Sequence, residues 1–184
     1  MTGRPRLVCA LLGGLAVLVL GVYVRGWLLI APQTSLNRTS DFAGSYVAAT
    51  LWRDGRGADI YNLSVETAEL RATGAPADHS DIPFENPPSA LLLALPTTLV
   101  DGGVAWAFWS WLQLLLVLAA IVLAARVAPW PARAGPLRIA ICLAALAGTG
   151  TGLLFLEAQW DGFAVLGLAA AYALWRRDRS FAAG

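Results

Sequence analysis

Few side chains in this 184-residue sequence can do chemistry, and their types narrow what that chemistry is. All 13 basic residues are Arg, so reactions that need a lysine amine are excluded. Cys9 and Cys142 both fall inside apolar runs, which supports neither a disulfide nor a metal site. The single histidine, His79, lies in Pro76-Ala77-Asp78-His79-Ser80-Asp81, a stretch that reads as exposed loop more readily than as a proton relay. Carboxylates and guanidinium groups remain. Eight of the 12 acids fall between residues 31 and 87 (Asp41, Asp54, Asp59, Glu66, Glu69, Asp78, Asp81, Glu85), against four Arg (38, 53, 56, 71). Read by itself, Asp41 behind Thr39-Ser40 is an acid at a helix start, a capping feature. Glu157, Gln159 and Asp161 form a second polar cluster, which reads either as function at membrane depth or as a solvated turn. Gly148-Thr149-Gly150-Thr151-Gly152 lacks the Lys of a phosphate loop and sits in an apolar run, where close helix packing is the better reading. Asn37-Arg38-Thr39 and Asn62-Leu63-Ser64 fit the glycosylation pattern, which matters only where the machinery exists; the all-Arg, Ala-rich composition instead suggests a GC-rich bacterium.

The elements that must hold these groups follow from composition. Hydrophobic residues make up 58% of the chain and charged ones 14%. A soluble domain of this size has too little interior for that much apolar surface, so an all-α integral membrane protein is expected. A net charge of +1 offers no basic patch and excludes nucleic acid as a partner. The first apolar run, with Arg4 and Arg6 ahead of it, continues to Ile30 and reads as an uncleaved span over 7–30. Residues 104–125, 137–155 and 160–175 read as three more spans. Residues 88–100, interrupted by Pro96, reach only about 20 Å against a hydrocarbon core of about 30 Å, so they read as a juxtamembrane or re-entrant helix. With that segment not crossing, eight Arg (4, 6, 126, 133, 138, 176, 177, 179) share one side, which the positive-inside rule makes cytoplasmic. Both termini are then cytoplasmic and the acidic loop 31–87 is extracytoplasmic. Trp27, Trp106, Trp109 and Trp160 would mark the outer interface and Trp130 and Trp175 the inner one.

Two short helices are expected on the outer loop. The first covers about 41–53, with Ser40 as N-cap, Phe42, Tyr46 and Ala49 (or Thr50) as an apolar stripe, and Asp54-Gly55-Arg56-Gly57 as its closing turn. The second covers about 64–72, with Glu66 in its first turn, Arg71 in its last and Gly74 beyond. With 88–100 they would form a platform at the lipid headgroups.

Three pieces of this region carry a family likeness. They are Asp41-Phe42 with Tyr46 and Ala48-Ala49, then Gly57 with Ile60-Tyr61, then Pro87-Pro88 with Leu91-Leu92-Leu93. A weaker fourth is Ala158-Gln159 leading into the last run, followed by the basic turn Arg176-Arg177-Asp178-Arg179. The chain resembles glycosyltransferase family 87, membrane mannosyltransferases of C-type fold that use a polyprenyl-phosphate sugar. Asn86 stands where an aromatic commonly precedes the Pro pair, and Ala158 replaces an expected Gly. Such enzymes are typically more than twice this length, so the N-terminal part of one, or a truncated product, is expected.

The resemblance implies inverting transfer of a hexose, by the family's habit mannose, from a polyprenyl-phosphate donor to a lipid or glycan acceptor outside the cell. Such transfer needs one carboxylate base, and cations near the leaving phosphate stabilise its charge. Asp41 is the expected catalytic base, held in its charged form by the positive end of its helix. Arg25, Arg38, Tyr46 and Gln159 are expected to bind substrate, with neither metal nor cofactor. On the residues alone, Arg25 reads more readily as a snorkelling side chain and Arg38 as a solvated loop charge. The alternative is a non-catalytic membrane scaffold or interaction protein that shares the architecture. A transporter is a weaker third, for want of buried charge pairs and paired broken helices.

Overall fold

The computed structural model describes residues 3–33, 39–77, 81–132 and 134–177. Among these, all regular structure is helical. Eight helices follow one another: α1 Gly3–Ile30, α2 Asp41–Arg53, α3 Leu63–Ala72, α4 Pro88–Leu99, α5 Gly102–Val127, α6 Gly135–Leu146, α7 Thr149–Glu157 and α8 Asp161–Trp175. They fall into two compact units. The first comprises Met1–Arg25, Leu112–Phe155 and Trp160–Gly184; the second comprises Gly26–Trp111 and Leu156–Gln159.

Two helices are long and apolar enough to cross a membrane, Arg6–Ile30 and Gly102–Val127, or three if the bent pair α6 and α7 counts as one span. The chain is therefore a helical protein with two or three candidate membrane spans. The run 137–155, expected as one straight span, instead folds as α6 and α7, meeting at 43°. The bend has a cause within the first unit. The Tyr23 hydroxyl donates to the Ala147 carbonyl (3.1 Å) at the break and also reaches the Gly148 carbonyl (3.3 Å), which accepts the Thr151 and Gly152 N–H groups as well. Gly152 makes room for that ring, since a Cβ there would collide with it. The glycine run is thus a packing device at Gly152, whereas Gly150 faces open space. The fourth expected span, α8, has 15 residues and reaches only about 22 Å. Its first turn is held by Gln113 of α5, whose Oε1 accepts the Gly162 N–H at 3.0 Å.

In the second unit, α2 and α3 end in the same way. Gly55 and Gly74 take positive φ (79° and 94°), and the next N–H reaches back to the third-last carbonyl of its helix, Arg56 to Leu51 (2.8 Å) and Ala75 to Leu70 (3.1 Å). The helix α2 is not the one-faced surface helix its stripe suggested. Phe42, Ala43, Gly44, Ser45, Val47, Ala48, Ala49 and Leu51 are all buried, because small residues let α3, α4 and the strap 82–84 cover it from several sides. Gly44 shows how close that cover lies: a Cβ there would be 2.7 Å from the Ile82 carbonyl. Trp106 and Trp109 are also buried. Trp106 stacks on Trp27 at 5.6 Å, and Trp109 stacks on Phe42 at 5.2 Å. The helix α4 turns Leu91, Ala94, Thr97 and Thr98 inward and Leu92, Leu93 and Leu99 outward.

Candidate active site

The site grows from two places far apart in the chain. Asp41 is the first residue of α2, exposed, with the extended backbone of Ser40 ahead of it. Gln159 lies 118 residues away, just after α7. Its Nε2 donates to the Asp41 Oδ2 at 2.6 Å. A short bond from a neutral amide to a charged acceptor orients the carboxylate and leaves Oδ1 for another donor. Both residues belong to the second unit.

The backbone at Ala158 makes this approach possible. Its φ of 53° is the left-handed conformation, and among the described residues no other non-glycine adopts it. That geometry turns the chain sharply after Glu157 and aims Gln159 at Asp41, at a strain of about 1–2 kcal/mol. The φ of Ala158 lies in the region glycine favours. Glu157, half-buried, is near enough to Asp41 for the two carboxylates to repel.

Tyr46 lies farther along α2, with other partners. Its hydroxyl donates to the Val100 carbonyl at 2.9 Å, and its ring packs over Gly102. It lines a cavity of about 250 Å³ with Phe42, Val47, Leu70, Thr73 and Asp101, to which Asp41 does not contribute. Tyr46 therefore belongs beside Asp41 in sequence but to a neighbouring hollow in space. Arg25 is exposed on α1 and falls in the first unit, whereas Asp41 and Gln159 fall in the second. Arg38 and His79 lie outside the described residues. Among the described residues no cluster of three or more His, Cys, Asp or Glu could hold a metal ion.

The remaining motif residues support the site rather than line it. Ile60 is buried, while the Tyr61 hydroxyl donates to the Asn86 carbonyl at 2.8 Å and its ring stacks on Phe84 at 5.7 Å. This ties the second motif to the Pro87-Pro88 turn of the third. Arg53 reaches the Thr98 carbonyl at 2.6 Å, clamping the end of α2 to α4. Arg56 bridges Asp59 and Glu69.

Sequence reasoning overlooked Glu66, which is 1% exposed. Its carboxyl accepts the Phe84 N–H at 3.2 Å and so anchors the strap over α2. Burial raises its pKa above the ordinary carboxylate value, and the Phe84 bond only partly counters this. Its spacing marks it only as a first-turn acid, and nothing local signals burial. Gln113 was likewise hidden inside an apolar run; its Nε2 is buried with no hydrogen-bond partner among the described residues.

Compared with protein-family models, with curated proteins and with solved structures, the chain matches none.

Proposed function

We propose that this chain is a membrane glycosyltransferase of the family 87 type, moving a hexose from a polyprenyl phosphate to an acceptor hydroxyl at the extracytoplasmic face. The observation that carries the reading is the 2.6 Å bond from Gln159 to Asp41, joining the residue proposed as base to the one proposed to line its site. A general base needs an exposed carboxylate with a fixed orientation, and Asp41 has both.

In the proposed reaction, the Asp41 carboxylate accepts the acceptor's hydroxyl proton. The acceptor oxygen forms a bond to the anomeric carbon, whose bond to the phosphate oxygen breaks with inversion. The polyprenyl phosphate leaves with that electron pair, so a strong acid opposite is unnecessary. Arg38, three residues before Asp41 in sequence, is the proposed cation for the phosphate. The outward apolar residues of α4, Leu92, Leu93 and Leu99, suit a helix lying among lipid headgroups. Sidedness rests on crossings by α1 and α5, which leave Arg4, Arg6, Arg126, Arg133 and Arg138 on one side.

The test is transfer from polyprenyl-phosphate mannose by the full chain in membranes, compared with Asp41→Asn. The expected result is a fall in turnover of about 10²–10⁴-fold at unchanged expression. Gln159→Leu should reduce turnover less, since it removes only the orienting bond. Normal turnover by Asp41→Asn would reject Asp41 as the base. No transfer by the unaltered chain with any polyprenyl-phosphate hexose would favour the scaffold reading, in which the Asp41–Gln159 bond is purely structural.

A further inference from the structure

The first unit carries a groove of about 280 Å³ between α5 and α6. Its wall is apolar and left open: Leu118, Val122 and Ile139 are 42%, 41% and 63% exposed. Two cations line the same groove, Arg126 and Arg138, on either side of the short connection 128–134 that joins the helices. No carboxylate lines it, and among the described residues neither Arg forms a salt bridge.

An apolar trough with two uncompensated guanidinium groups has the chemistry of a receptor for an amphiphile. The trough takes a hydrocarbon chain, and two planar forks take phosphate oxygens. A free phosphate would leave the wall uncovered, and a neutral hydrocarbon would leave both charges unanswered. We infer that this groove holds one bilayer phospholipid with an anionic headgroup, its acyl chain along Leu118–Val122 and Ile139–Leu143 and its phosphate between Arg126 and Arg138. Basic pockets between membrane helices bind anionic headgroups on the same principle. The inference does not rest on the proposed transferase activity.

The test is native mass spectrometry of the full chain from mild detergent, offered equal amounts of phosphatidylglycerol and phosphatidylcholine with identical chains. The expected result is one retained lipid per chain, with a preference for phosphatidylglycerol of about thirtyfold, the sum of two Arg contributions. Arg126→Gln with Arg138→Gln should bring the preference below about threefold. Arg126→Lys with Arg138→Lys should keep most of it, which separates charge from misfolding. Cys142→Trp, filling the groove, should lower retention of both lipids, and Arg177→Gln, outside the groove, should change nothing. Equal retention of the two lipids by the unaltered chain would overturn the inference, as would a preference that survives the double Gln change.

Discussion

The two units solve different solvent problems with the same kind of element. In the second unit, side chains from distant parts of the sequence meet backbone groups: Tyr46 at Val100, Arg53 at Thr98, Tyr61 at Asn86 and Glu66 at Phe84. Its centre is aromatic and closed, with Phe42, Trp106 and Trp109 each about 1% exposed. In the first unit the large apolar side chains point outward, with Leu11, Leu18 and Leu168 at 64%, 69% and 73% exposure. Small residues such as Ala140, Ala169 and Ala173 fill its contacts. The second unit builds a closed aromatic centre and displays apolar side chains only outside it, such as Leu92 and Leu99, whereas the first displays them along its helices, as a helix facing lipid does. Directional polar bonds therefore carry the specificity of the second unit, and close backbone approach carries that of the first.

Steric substitutions give the largest expected effect on this contrast. Gly44→Ala sets a methyl against the Ile82 and Pro83 carbonyls, and it should destabilise the second unit by about 1–3 kcal/mol. Limited proteolysis within 54–87 should accelerate while cleavage in the first unit does not. Gly162→Ala is the mirror test. Its methyl would collide with the Gln113 side chain and stand 2.9 Å from the Gln113 carbonyl, so about the same loss is expected in the first unit. Hydrogen exchange should rise in α8 and leave α2 and α3 unchanged. If either substitution loosens both units equally, the two are not independent.

A smaller effect is expected from pH. Because burial raises the folded pKa of Glu66, its contribution to stability is fully present below the unfolded value and is lost as pH rises through the folded value. Thermal melts should show the second unit weakening over that interval. In Glu66→Gln, which keeps an acceptor for the Phe84 N–H, the same interval should be flat. The smallest change is Ala158→Gly. Relief of left-handed strain is worth about 1–2 kcal/mol, and loss of a fully buried methyl costs about 0.8 kcal/mol. A net gain of about 1 kcal/mol or less is expected, read as a small rise in melting temperature.

What could be read beforehand depended on the range of the interaction. The C-terminal ends of α2 and α3 were legible because Gly55 and Gly74 act on their own neighbours, whereas Ser40 precedes α2 without a side-chain cap bond. The burial of α2 was not, because an apolar stripe reports one face, and here the small residues Ala43, Gly44, Ser45 and Ala48 bury the rest. The bend between α6 and α7 was hidden for a related reason. Gly148 and Gly152 read as packing glycines, and the hydroxyl that stabilises the break comes from Tyr23, 124 residues earlier. Asp41 and Gln159 were paired through family likeness, since no periodicity links positions 118 apart. The polar atoms of Gln113 were invisible inside a run that looked uniformly apolar.

The Tyr23 contact has a consequence for biosynthesis. A chain emerges from the ribosome N-terminus first, so the helix bearing this phenol is made before the two carbonyls it serves. A donor for the Ala147 carbonyl is therefore already in place when the break between α6 and α7 forms. Tyr23→Phe, which removes only the hydroxyl, should show this as slower protection of α6 and α7 from proteolysis during translation, well before any loss in the finished protein.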